Sequence, residues 1–172
     1  MVIWFIGLSG SGKTTLGREV AQRWRAFAQN TVFLDGDEVR DVFKHDRGEQ
    51  AFSKSGRRQN AERMTALCEL LDRQGINVVC CILSIFPEMR AENRTRFSEY
   101  FEVFMDAPMD SLKRRDVKGL YAAAERGEER NVVGIDIAFK RPEGSDLVVD
   151  SSGDEPDIAA LAEMVLETAM PR

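Results

Sequence analysis

The sequence predicts an α/β protein: a three-layer sandwich in which helices cover both faces of a five-stranded parallel sheet. Three observations predict it. The chain opens on a short, unalternating apolar run, Val2 to Ile6, which reads as a strand buried on both faces. Comparable runs recur at Thr31–Leu34, Ile76–Leu83, Phe101–Met105 and Leu147–Val149, separated by stretches with helical periodicity. The first run ends in Gly7-Leu8-Ser9-Gly10-Ser11-Gly12-Lys13-Thr14, which satisfies G-x-x-x-x-G-K-[ST] at every fixed position.

That loop carries its own chemistry. Gly7, Gly10 and Gly12 have no Cβ, so the backbone can take left-handed angles and turn its N–H groups onto phosphate oxygens. Lys13 adds a mobile cation for the β- and γ-phosphates, and the Thr14 hydroxyl is placed to ligate Mg²⁺. A helix starting near Lys13 brings its positive end to the same point. These residues, with Ser9, Ser11 and Thr15, are expected to bind ATP.

Each later element follows from its pattern. Leu16, Val20, Trp24 and Phe27 recur at near-helical spacing and form one predicted core stripe, stopped at Asn30. The second strand leaves through Asp35-Gly36-Asp37. Ligands of open parallel sheets sit beyond the carboxyl ends of strands, so both acids are expected beside the phosphate loop. Turn or cap roles are the alternative for each. Residues 38–52 suggest a short helix and a loop, and Phe52-Ser53 is expected to open a long helix. Its buried stripe is Met64, Leu67, Cys68 and Leu71, and Gly75 ends it. Arg57, Arg58, Asn60 and Arg63 at its start form either a solvated face or an anion-binding wall. The third strand exits at Ser84-Ile85-Phe86-Pro87, and a helix from about Glu88 to Ser98 follows it. A charged helical segment over about 110–141 suggests a lid that supplies arginines and excludes water. Asp154-Glu155-Pro156 is expected to start a final helix buried through Ile158, Leu161, Ala162 and Val165. No repeat or linker divides residues 1–172, so one domain is expected.

The bulk numbers exclude other classes. A formal net charge of −5 and a pI near 5.1 argue against a general nucleic-acid or membrane surface. Cys68, Cys80 and Cys81 have no CxxC spacing and suggest reduced thiols in the cytoplasm. His45 is the single histidine, which leaves no zinc pattern. The chain shows no signal-peptide pattern and no apolar run of membrane-spanning length.

Several motifs together resemble the adenylyl-sulfate kinase family over nearly the whole chain. They are the opening WFIGLSGSGKTT, Leu34-Asp35-Gly36-Asp37 with Val39-Arg40, and Phe52-Ser53 with Arg57 and Asn60. Arg115-Asp116, Lys118-Gly119-Leu120-Tyr121 and Gly134-Ile135-Asp136 complete the set. The resemblance implies a phosphate-loop, nucleoside-kinase-like fold and a Mg²⁺-dependent phosphoryl transfer from ATP to the ribose 3′-hydroxyl of adenylyl sulfate. It also implies a homodimer. Asp37 becomes the expected base, Asp35 a metal ligand with Thr14 and a neighbour of the acceptor, and Arg115 a cover for the donor nucleotide. Arg40, Phe52, Arg57, Asn60, Ser84, Ile85, Lys118, Val132 and Gly134 become the expected acceptor-binding set. The departures fall on the acceptor side. Ile85 replaces the usual proline, Gly56 an acid before the helix arginine, Ala61 a larger aliphatic residue, and Val132 an aromatic one. They allow another acceptor, such as the cytidine diphosphoramidate that a relative phosphorylates in capsule decoration. Two further readings are a nucleotide-binding regulatory module and a shikimate- or gluconate-type kinase, which shares the loop but not RDxKGLY.

Overall fold

The structure is a computed structural model and describes residues 1–44, 48–116, 119–153 and 155–171. Lys118, one of the expected acceptor-binding residues, lies outside them, as do His45, Arg47 and Asp154. Each strand is followed by one or more helices. They begin with β1 (Val2–Ile6), α1 (Lys13–Phe27), β2 (Thr31–Asp35), α2 (Gly36–Phe43), α3 (Glu49–Phe52) and α4 (Lys54–Asp72). They continue with β3 (Asn77–Cys81), α5 (Pro87–Arg96), β4 (Tyr100–Asp106), α6 (Met109–Arg114), α7 (Leu120–Glu125), β5 (Leu147–Asp150) and α8 (Ile158–Ala169).

The sheet has five strands, all paired in parallel as expected, and the structure gives their order as β2-β3-β1-β4-β5. β1 occupies the centre, with Val2 opposite both Val78 and Tyr100. All five of its residues are buried, which explains its unalternating sequence. Its side chains nevertheless alternate between layers. Ile3 and Phe5 pack with Leu16, Val20 and Trp24 of α1 and with Ala162 and Val165 of α8. Val2, Trp4 and Ile6 face Met64 and Cys68 of α4 on the other side. A third, smaller cluster joins Leu8 of the loop to Leu112, Tyr121, Val132 and Val133. The charged 110–141 segment is therefore anchored by its own apolar residues.

Boundaries differ from expectation where local pattern competes with packing. Phe27, placed on the core stripe of α1, is 66% exposed because it falls on the helix's last residue. The third strand is shorter than Ile76–Leu83: Ile82 remains buried, but the ladder stops at Cys81. α4 begins after Ser53, whose Oγ accepts from the Gly56 N–H as an N-cap, and Phe52 closes α3 instead of opening α4. α4 stops at Asp72, and Gly75 takes a left-handed φ of 72° three residues later. α5 ends at Arg96, and α8 starts only at Ile158, with Asp157 capping the Ala160 N–H. Cys68, Cys80 and Cys81 are all free and buried. Burial pushes the Cys80 and Cys81 thiols up, which fits packing residues of low reactivity.

Glu102 went unremarked in the sequence. It is 2% exposed in β4 and accepts from Arg90 at 2.9 Å, Tyr100 Oη at 2.8 Å and Ser145 Oγ at 2.7 Å. Three donors offset the cost of burying its charge. No described helix is long and apolar enough to cross a membrane.

Candidate active site

The site is built at the carboxyl ends of β1, β2 and β3, around the loop that joins β1 to α1. Gly10 and Gly12 sit at φ 76° and 87°, angles that cost a residue with a Cβ about 1 kcal/mol or more. Gly12 is the N-cap of α1, so the helix begins directly on the loop. Ser11 N–H donates to Leu8 O at 3.3 Å, and Lys13 Nζ donates to the same carbonyl at 2.7 Å, which folds the lysine back over the loop. Ser11 is 1% exposed, and its Oγ has no hydrogen-bond partner among the described residues. A buried hydroxyl of that kind suits an oxygen-rich ligand. Ser9 is half-buried, and Thr14 and Thr15 are exposed at the first turn of α1.

Thr14 and Asp35, 21 positions apart in sequence, meet here. Thr14 Oγ1 donates to Asp35 Oδ2 at 2.7 Å, and Asp35 Oδ1 accepts from the Asp37 N–H at 2.9 Å. Asp35 therefore caps α2 and faces the phosphate loop at once. A hydroxyl beside one carboxylate, with phosphate oxygens and water completing the shell, fits Mg²⁺. Among the described residues no group of three or more His, Cys, Asp or Glu side chains could hold a metal ion. Asp37 is exposed in the first turn of α2 and within electrostatic reach of Arg57.

The expected acceptor residues fall into two groups. Arg40, Phe52, Arg57 and Asn60 come together where α2, α3 and α4 converge. The Arg40 guanidinium lies 4.6 Å from the Phe52 ring centroid and that of Arg57 lies 5.7 Å from it. Arg40 Nη1 donates to Ala51 O at 2.8 Å, and Arg57 Nε to Phe52 O at 2.9 Å. Arg57 Nη2 reaches Asn131 O at 2.8 Å and so joins α4 to the 131–137 turn. Burial, then the neighbouring Arg40, pulls the Arg57 pKa below its ordinary value, while Asp37 and Asp136 oppose the shift. Asn60 is 2% exposed and has no partner for Oδ1 among the described residues; its amide nitrogen reaches Gly36 O at 3.4 Å. Ser84 and Ile85, on the β3 exit, are buried and half-buried respectively.

The second group behaves differently. The Val132 side chain is 3% exposed inside the third cluster, so it packs the segment instead of lining an open surface. Asp136 accepts from the Asn131 and Val132 N–H groups and closes the turn that holds Gly134. Arg115, expected on the donor side, donates through Nη2 to Ser151 O at 2.6 Å and through Nε to Ser111 O at 3.3 Å, so it ties α6 to the β5 exit.

Sequence reasoning gave Tyr121 no role of its own. Its Oη donates to Ser9 O at 2.8 Å and fastens α7 to the phosphate loop across 112 positions. Burial, then Asp116, pushes the phenol up to about 12, so it stays a donor at neutral pH. Its place in Lys118-Gly119-Leu120-Tyr121 was the available signal.

A parallel sheet with a glycine-rich, lysine-bearing loop between its central strand and first helix defines a phosphate-loop nucleotide-binding fold. The family model for adenylylsulphate kinase matches residues 1–150, and the chain belongs to that family of phosphotransferases with hydroxyl acceptors. It is 38% identical over 151 residues to the cytidine diphosphoramidate kinase of Campylobacter jejuni, covering 88% of this chain and 86% of that one. It is 37% identical over 168 residues to an adenylyl-sulfate kinase of Synechococcus sp. (strain JA-3-3Ab), covering 98% and 93%. Among solved structures it resembles the Mycobacterium tuberculosis APS kinase CysC in complex with AMPPNP and APS. That match has a TM-score of 0.83 and 33% identity, and covers 97% of this chain and 95% of the other.

Proposed function

We propose that this protein transfers the γ-phosphoryl group of ATP to the ribose 3′-hydroxyl of a nucleotide, with adenylyl sulfate as the acceptor. The observation that carries this reading is the meeting of Thr14, Asp35 and Asp37 at the phosphate loop, beside the Arg40–Phe52–Arg57 cluster. A donor site and an anion- and base-binding site then share one edge of the sheet. The solved relative with AMPPNP and APS bound supports the same pairing of ligands.

In this mechanism the loop amides, Ser11 and Lys13 hold the donor phosphates. Thr14 and Asp35 would hold Mg²⁺, which when bound would supply charge neutralisation on the transferring group. Asp37 orients the acceptor hydroxyl and receives its proton. Phosphoryl transfer depends mainly on such positioning and charge stabilisation. Phe52 stacks on the acceptor base, Arg40 and Arg57 face its anionic groups, and Asn60 Oδ1 accepts from it. The 110–141 segment closes over both ligands. The family resemblance adds a homodimer, which sedimentation would test.

A second acceptor is favoured by one observation. Because the Val132 side chain is withdrawn into the third cluster, the base is stacked on one face only, by Phe52. Stacking on an aromatic side chain is worth about 1–3 kcal/mol per base. A pyrimidine read by hydrogen bonds loses less than adenine from the missing second face, which brings in a cytidine diphosphoramidate. The test compares kcat/KM for adenylyl sulfate and for cytidine diphosphate derivatives at equal concentrations. A preference for adenylyl sulfate of about a hundredfold (about 2.7 kcal/mol) removes the second reading. A preference for the cytidine compound replaces the first.

A further inference from the structure

Gly56 is the third residue of α4, and everything local argues against glycine there. Its φ is not in the left-handed region, so no backbone angle requires it. Glycine inside a helix costs about 1 kcal/mol relative to alanine. Three residues after a serine cap, a Glu would close a capping box and suit the helix dipole. What glycine supplies is space. A Cβ at 56 would run into Gln50 O and lie 2.7 Å from Ala51 O and 2.9 Å from Ala51 C. These are backbone atoms of α3, which cannot give way as the end of a side chain would.

The missing Cβ therefore lets α3 settle onto the first turn of α4, with consequences for three successive carbonyls. Gln50 O accepts from Ser53 N–H and Oγ, Ala51 O from Arg40, and Phe52 O from Arg57. The Phe52 ring is thereby held against both guanidinium groups while remaining 43% exposed.

We propose that Gly56 is a positioning residue for acceptor recognition: it docks α3 on α4 and so fixes Phe52, Arg40 and Arg57 as one platform for the base and anionic group of a nucleotide acceptor. This rests on the acceptor site assigned above. ATP, bound by the loop before α1, does not depend on it.

The experiment is Gly56→Ala, with KM measured separately for ATP and for two acceptors, adenylyl sulfate and a cytidine diphosphate derivative. Displacing a stacking platform should raise acceptor KM about tenfold or more while ATP KM stays within about twofold. The adenine acceptor should lose more than the cytosine one, because the larger ring system takes more of its hold from stacking. A general loss of fold would move both substrates together and leave the ratio between acceptors unchanged. Ser53→Ala loosens the same joint without adding a Cβ, since it removes the oxygen that accepts from Gly56 N–H and donates to Gln50 O. It should shift acceptor KM in the same direction by a smaller factor, and it decides the matter if Gly56→Ala does not fold. Acceptor KM unchanged in the folded variants, or ATP KM rising in parallel, overturns the role of Gly56. A wild-type enzyme that phosphorylates neither acceptor overturns the acceptor assignment and this proposal with it.

Discussion

Gly17→Ala offers a test of how closely α1 lies on the sheet that carries the phosphate loop. Gly17 is buried at the fifth position of α1, and a Cβ there would overlap Cys81 Sγ. The next contacts are Phe33 Cε2 at 3.2 Å and Val79 Cγ1 at 3.6 Å. Two effects oppose each other. Alanine in a helix interior gains about 1 kcal/mol over glycine, while overpacking a close-packed core costs about 1–3 kcal/mol. The overlap with sulfur should decide the sign, leaving Gly17→Ala destabilised by up to about 2 kcal/mol. For a chain of this length each kcal/mol lowers the melting temperature by about 2–4 °C. Cys81→Ala removes the obstructing sulfur, and its own cost includes the bond from Sγ to Lys13 O at 3.2 Å. In that background only the Phe33 ring edge remains tight, and Phe33 is half-buried and can shift. Gly17→Ala should then become neutral or stabilising, by up to about 1 kcal/mol. Urea unfolding of the four proteins, at constant m, measures the coupling. If Gly17→Ala stabilises the wild-type chain, or the two changes add within about 0.5 kcal/mol, the close approach of α1 to β3 is wrong.

Two further outcomes are expected at the site. Asp37→Asn should lower kcat by about 10²–10⁴-fold with little change in ATP KM, as loss of a positioned base does; a steady-state loss below about tenfold makes Asp37 a turn acid. Tyr121→Phe removes the 2.8 Å bond to Ser9 O, costs about 0.5–1.5 kcal/mol in thermal unfolding, and should raise ATP KM several-fold by loosening the loop's support. An unchanged ATP KM with a lowered melting temperature would confine Tyr121 to stability.

Much of the fold could be read from the chain because its signals are local. The five strands are short apolar runs, and the phosphate loop is eight consecutive residues whose angles depend on glycines within it. Cys68 and Met64 on α4 follow from helical period alone. Ends were less legible, because where an element stops depends on what covers it. Phe27 has the right spacing for the core, yet the helix ends there with nothing over it.

The sequence by itself determined the class of fold and the family: a phosphate-loop motif after the first strand, acids at the next strand exit, and a charged segment over about 110–141. Tertiary structure decided how those parts connect. It brought Thr14 to Asp35, Tyr121 to Ser9 and Arg57 to Asn131, across 21, 112 and 74 positions. It withdrew Val132 into a small core and made Gly56 the seat of α3. The reason is physical. Periodicity and glycine placement report the preferences of a few neighbouring residues, whereas a long-range hydrogen bond or a missing Cβ has meaning only once strand order has set which backbones meet.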